Sequence, residues 1–208
     1  MIQYTPVTTL HRTLIAADIV GFGRRETALQ PYLHKVLYEA VETALAGAGV
    51  PLAGCHREDR GDGMLVMAPP DAGVEPLLDA FPARLHAELR RHDRVALPEA
   101  RIRLRLAVHA GYVRSGDRGA DGEALTHLFR LLDAEAFKAA HAERAAPLGL
   151  IVSDYLYEQI VRPGLSLLDP LAFTELAVTR KETSCDAWVW FPPEPHAHAG
   201  RLRVVHGE

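Results

Sequence analysis

Residues 13–20, Thr-Leu-Ile-Ala-Ala-Asp-Ile-Val, are apolar or β-branched almost throughout, the pattern of a central strand buried on both faces. Gly-Phe-Gly at 21–23 breaks the run. From Pro31 to about Ala46 the apolar positions Leu33, Val36, Leu37, Ala40, Val41, Ala44 and Leu45 recur at helical spacing. Pro31 suits a first helical turn, and Gly47 and Gly49 end the helix. Two short strand-like segments, Val50–Glu58 and Gly63–Pro69, flank Asp-Arg-Gly-Asp-Gly, whose turn chemistry predicts a β-hairpin with Asp62 at or just past the turn. Leu77, Leu78, Phe81, Leu85 and Leu89 mark a second helix, with Pro82 inside it.

Residues 101–109 alternate, with Ile102, Leu104, Leu106 and Val108 on one face and Arg101, Arg103 and Arg105 on the other, as in a half-exposed strand. A Gly-rich loop over 110–122 follows, then a third helix from about Glu123 to Ala142 with Leu125, Leu128, Phe129 and Leu132 inward. Leu148–Ser153 reads as a strand, 154–161 as a short helix and Cys185–Phe191 as a last strand. The order βαββαβαβαβ predicts one α/β (α+β) domain over residues 1–192, with a ferredoxin-like βαββαβ core and a C-terminal αβ extension. Residues 193–208, including His196 and His198, read as a flexible tail.

Composition narrows the function classes. At 208 residues, 48% hydrophobic and 24% charged, the chain can bury a substantial core. A formal net charge of −4, with scattered basic residues, argues against a nucleic-acid partner. Two cysteines, Cys55 and Cys185, form neither a disulfide framework nor a metal-binding spacing. No secretion signal and no apolar run of membrane-spanning length is present, so the expected location is cytoplasmic. That weakens any adhesion reading of Arg60-Gly61-Asp62.

The candidate chemistry sits on two aspartates. Asp18 lies near the end of the first strand and Asp62 at the hairpin before the third. Those strands are neighbours in a βαββαβ sheet, so the two carboxylates can converge at one edge. Their mutual repulsion is relieved by a divalent cation, and Mg²⁺ favours a few carboxylates plus substrate phosphates. The backbone at Gly21, Phe22 and Gly23 can turn N–H groups toward a phosphate. Taken singly each aspartate is a turn or cap residue. Taken together, on that sheet order, they point to a metal site.

Four segments, in order, resemble the class III nucleotidyl cyclases, the adenylate/guanylate cyclase catalytic domain. LIAADIVGFG is similar to that family's FADIVGFT, and EDRGDGMLVM to its hairpin carrying Gly-Asp. IRLRLAVHAGYVRSG resembles VRIGIHTGPVVAG, and GEALTHLFRLLDA resembles GDAVNLAARLEA. The likeness spans Thr13 to Ala134 and continues weakly through LGLIVSDYLYEQI and FTELAVTRKETSCDAWVW. It implies attack of a ribose 3′-hydroxyl on the α-phosphate of the same nucleoside triphosphate, with two Mg²⁺ or Mn²⁺ ions per site. By this resemblance Asp18, Asp62 and the backbone carbonyl of Ile19 are metal ligands, and Arg130 stabilises charge on the transferring phosphate. Glu123, Thr126 and Arg130 share one helix face by their spacing, away from the apolar side. The family's site lies between two catalytic domains, which implies a homodimer here.

The chain also departs from the family pattern. Thr126 stands where the family has asparagine, and Gly23 where it has Thr or Ser. Glu58 falls on a base-reading position and can accept from guanine N1–H and the 2-amino group, which leans toward GTP. The second base-reading position falls near Gly119 or Asp121. The triphosphate-binding lysine falls near Arg180 or Lys181, with Lys181 the better match. Arg60 replaces an apolar residue, and His109 reads as structural. The competing class is a catalytically silent cyclase-like domain that binds a nucleotide or a partner protein as a regulatory module. A palm-type polymerase or diguanylate cyclase shares the core and carboxylates, but the latter's GGDEF or GGEEF stretch is absent, and the C-terminal likeness argues against both.

Overall fold

The computed structural model describes residues 8–116, 119–180 and 183–193. The expected tail and Lys181 lie outside these residues, the tail except for its first residue. The strands are β1 (Thr8–Ile19), β2 (His56–Asp59), β3 (Gly63–Met67), β4 (Leu104–Gly116), β5 (Gly119–Asp121), β6 (Leu148–Ser153), β7 (Thr174–Arg180) and β8 (Thr183–Trp190). The helices are α1 (Gln30–Gly47), α2 (Glu75–Leu78), α3 (Ala80–Asp93), α4 (Glu123–Leu132), α5 (Glu135–Arg144) and α6 (Asp154–Leu156), the last continued by a π turn over Tyr157–Val161. The strands form one sheet in the order β2-β3-β1-β4-β6-β8-β7, with β5 paired to β4. Its first four members carry the order of a ferredoxin-like βαββαβ unit.

β1 is buried on both faces from Thr13 to Ile19 because helices cover the sheet on both sides. Ile15, Ala17 and Ile19 join Leu104, Leu106 and Val108 against α1 and α3, through residues such as Leu37 and Phe81. Leu14, Ala16 and Ala107 face α4 and α5 through Leu128, Leu131 and Phe137. Burying either helix face supplies most of that helix's stability, since single buried Leu→Ala changes typically cost about 2–5 kcal/mol.

Several elements differ from the sequence reading. The second helix is broken at Asp79, which places Pro82 in the first turn of α3, where its missing N–H does little harm. The third helix is likewise two: the chain is extended at Ala134 (φ −58°, ψ 124°) between α4 and α5. The Gly-rich stretch is largely strand, because β1 pairs with β4 through Thr8↔Ser115. β7, not recognised as a strand, forms a hairpin with β8. The first segment of the β2–β3 hairpin becomes strand only at His56, after a 3₁₀ turn over Leu52–Gly54.

The close approach of β1 and β3 depends on Gly63. Asp18 and Gly63 are register partners, and a Cβ at Gly63 would lie 2.1 Å from the Ala17 carbonyl oxygen. Gly63→Ala should therefore cost at least about 2 kcal/mol of stability, read from urea denaturation midpoints.

His141 is 1% exposed and stacks on Phe191 with ring centroids 6.0 Å apart. Burial, reinforced by Arg103 and Arg105, lowers its pKa to about 4 from the usual 6.5. The folded state thus favours the neutral imidazole. This contribution to stability is fully present above pH 6.5 and is lost as the pH falls toward 4. A His141→Phe variant should lose stability less steeply between pH 6.5 and 4 than the parent, as measured by thermal melts across that range.

Candidate functional site

Asp18 sits at the C-terminal end of β1, 8% exposed, and Arg105 of β4 is its register partner. The guanidinium grips both carboxylate oxygens, Nε to Oδ1 at 2.8 Å and one terminal nitrogen to Oδ2 at 2.6 Å. Burial raises the Asp18 pKa above the usual carboxylate range, Arg105 opposes that rise, and Asp62 and Asp133 add to it. Asp62 stands in the β2–β3 turn, and its carbonyl accepts from the Ile19 N–H at 2.9 Å. The turn itself follows from Asp59-Arg60-Gly61. Gly61 adopts φ +80°, and its N–H donates to Asp59 Oδ1 at 2.7 Å. Asp18 and Asp62 line one cavity of about 250 Å³ with Arg60, Gly63, Phe129 and Asp133.

Arg60 lines this cavity and carries Glu58 beside it. Glu58 Oε2 accepts from Arg60 at 2.6 Å, and Oε1 lies 3.0 Å from His56 Nε2. The Arg60 guanidinium lies over the Phe129 ring at 4.9 Å. Gly119 is beside Glu58, 3.6 Å from its Oε1 at the place a Cβ would occupy. Asp121, the other base-reading candidate, is instead turned to Arg114 at 2.7 Å.

Glu123, Thr126 and Arg130 line a second cavity of about 550 Å³, with His109, Tyr112 and His127. Among the described residues no carboxylate pairs with Arg130. The Thr126 hydroxyl donates back to the Gly122 carbonyl at 3.4 Å, within its own helix. His109 Nδ1 lies 2.8 Å from Ser153 Oγ, and its ring packs edge-on to His127 at 4.7 Å. Burial, with His127 and His11, lowers the His109 pKa to about 4, so the ring is neutral at neutral pH.

The structure thus brings Asp18, Ile19 and Asp62 together, and Glu58 with Gly119, but puts Thr126 and Arg130 in a different cavity. α4 lies between the two: Phe129, Leu132 and Asp133 face the carboxylates, and Glu123, Thr126 and Arg130 face away. Gly21 (φ +71°) caps a 3₁₀ turn over Phe22–Arg24, and α1 begins only at Gln30. Gly21, Phe22 and Gly23 therefore belong to that turn and not to the first turn of α1. A Cβ at Gly23 would meet nothing within 4 Å.

Arg105 is the residue that sequence reading missed. Its alternation with apolar neighbours predicts a half-exposed strand, whereas the Arg105 and Asp18 side chains retain only 14% and 11% exposure. The signal was its register opposite Asp18 on the neighbouring strand.

No family profile matches the chain, and no curated protein matches it in sequence. Solved structures do match. The adenylate/guanylate cyclase/hydrolase from Silicibacter pomeroyi is similar at TM-score 0.64 and 21% identity, over 90% of this chain and 99% of that one. The guanylate cyclase domain of RhGC from Catenaria anguillulae, in complex with GTP, matches at TM-score 0.56 and 14% identity, over 88% and 97%. The non-canonical dimeric guanylyl cyclase domain of the RhoGC fusion protein from Blastocladiella emersonii matches at TM-score 0.56 and 15% identity, over 88% and 97%. Among the described residues no helix is long and apolar enough to cross a membrane. The chain has the fold of the class III adenylate/guanylate cyclase catalytic domain.

Proposed function

We propose that the chain is a nucleotidyl cyclase that converts a nucleoside triphosphate, with GTP preferred, to a 3′,5′-cyclic nucleotide and pyrophosphate. The site forms between two copies of the chain. The observation that carries this reading is the separation of the carboxylate pair from Arg130 by α4. Each copy holds two unlike half-sites, and two copies related by a two-fold axis can join each carboxylate cavity to a partner's arginine face. A cavity of about 250 Å³ is also small for a nucleotide, since sites that enclose a drug-sized ligand span about 300–1,000 Å³. The dimeric and GTP-bound cyclase domains of the same fold support the assembly and the substrate class.

In the reaction a bond forms between O3′ and the α-phosphorus as the bond to the bridging oxygen of pyrophosphate breaks. The hydroxyl proton passes to solvent. Asp18 and Asp62, with the Ile19 carbonyl, fit a site for Mg²⁺ or Mn²⁺, two ions per site. Asp18 and Asp62 are carboxylate oxygen donors that line one cavity, the donor type these ions favour. Bound ions would lower the pKa of the attacking hydroxyl and offset charge on the phosphates. Arg105 offsets the Asp18 charge until then and keeps that carboxylate oriented toward the cavity. Arg130 donates to the oxygens that gain charge in the transition state. Glu58 accepts from the guanine edge, and Lys181, by the resemblance, is the triphosphate-binding lysine. The Gly21, Phe22 and Gly23 turn and Gly119 shape the nucleotide's surroundings, and Thr126 orients the ribose.

The bidentate grip of Arg105 on Asp18 also favours a second reading, a catalytically silent module that binds a nucleotide or a partner protein. Incubating the protein with each of the four ribonucleoside triphosphates and Mn²⁺ or Mg²⁺, with mass spectrometry of the products, separates the two. A cyclic product, strongest from GTP, is expected. A folded dimer that yields none from any nucleotide would leave the silent module.

A further inference from the structure

The proposed chemistry gives no task to Arg60, yet the structure holds this side chain in a defined place. Its guanidinium bonds Glu58 at 2.6 Å and lies over the Phe129 ring at 4.9 Å. It also lines the cavity that contains Asp18 and Asp62. A free arginine loses much rotamer freedom when it binds, and these two contacts remove part of that cost before any ligand arrives. The group is planar and carries five donors, so those not spent on Glu58 remain for a ligand.

We infer that Arg60 is a specificity-determining residue that reads the base jointly with Glu58, the pair selecting guanine. The inference rests on the reading of this cavity as part of a nucleotide site. Each carboxylate oxygen has two lone-pair positions, so Glu58 still accepts after bonding His56 and Arg60. Guanine presents two donors, N1–H and the 2-amino group, next to the O6 acceptor. Glu58 takes the donors and Arg60 donates to O6, which makes three bonds. In the same pose adenine turns its 6-amino donor toward Arg60 and its N1 lone pair toward Glu58, so neither bond forms. Gly119, on the other flank of Glu58, has no side chain with which to supply a donor. Exchanging the Arg60–O6 bond for a facing pair of donors, and the Glu58–N1–H bond for a carboxylate facing a lone pair, discriminates between the bases.

The test is calorimetric titration of the full chain with 3′-deoxy-GTP and 3′-deoxy-ATP in Mg²⁺. Both lack the attacking hydroxyl and bind without turnover. The parent should prefer the guanine nucleotide. Arg60→Ala should weaken guanine binding about tenfold and adenine binding less than about twofold. Arg60→Lys, which keeps the charge but loses the planar fork, should recover less than half of the lost preference. Arg60 is exposed on the hairpin, and circular-dichroism melting checks that both variants fold. Equal losses for the two nucleotides would make Arg60 a phosphate or packing contact and overturn the inference. Tighter binding by Arg60→Ala would make it a plug and also overturn it. If both nucleotides bind and the guanine preference survives Arg60→Ala, the inference about Arg60 falls alone. If neither binds the parent, the nucleotide site falls with it.

Discussion

Asp62→Asn should reduce cyclic product formation by on the order of 10³-fold or more, while leaving folding stability within about 0.5 kcal/mol. Asp62 is exposed in the turn between β2 and β3, so removing its charge disturbs no buried contact. Its backbone bond to the Ile19 N–H, 2.9 Å, survives the change. The equivalent change at Asp18 is the poorer experiment. Asp18→Asn leaves Arg105 at the sheet edge without its partner carboxylate, and breaking a buried pair on one side is strongly destabilising. Lost activity there would mix chemistry with folding. The pair of variants is informative as a set: activity and stability should fall together at Asp18 and separately at Asp62. Steady-state rates with GTP and Mn²⁺, beside urea denaturation, give both readings.

Arg130→Ala should lower kcat by about 10²–10³-fold with a smaller change in KM, the signature of an interaction made mainly in the transition state. Arg130 is half-buried on the outer face of α4 and has no carboxylate partner among the described residues. The apolar side of the helix, Leu128 and Leu131 at 0% exposure, is untouched by the substitution. Stability should therefore hold. Thr126→Ala tests the same face more gently. Its hydroxyl already donates within the helix, so the loss should be smaller than at Arg130.

Much of the fold could be read from the sequence where burial is strong and local. β1, β3 and β6 are apolar runs because helices cover both faces of the sheet, and no partner needs to be known to see them. α1 declared itself by the spacing from Leu33 to Leu45 and by Pro31 and Gly47. β7 is illegible because it is an edge strand: Thr174, Glu175 and Thr179 face solvent, and among its residues of described burial only Val178 is buried. The breaks at Asp79 and Ala134 were hidden because apolar residues continue at helical spacing on both sides of them.

The candidate site divides the same way. Asp18 and Asp62 could be placed together from strand order alone, because the pairing of β1 with β3 follows from the topology. The lodging of Arg105 on Asp18 could not, since alternation alone does not say whether a strand's second face meets water or a helix. Arg60 was opaque for a related reason. Its place depends on Phe129, far along the chain on α4, whose ring is only partly buried and offers its face to the guanidinium.

Mixing complementary variants tests the central claim, a cyclisation site assembled from two copies, most directly. Asp62→Asn and Arg130→Ala should each be nearly inactive alone. Co-purified in equal amounts, half of the dimers are mixed, and each mixed dimer carries one intact site out of two. The mixture should recover about a quarter of the parent's rate with GTP and Mn²⁺. A mixture as inactive as its components, beside an active parent, would contradict the shared site and place both residues in one copy's chemistry.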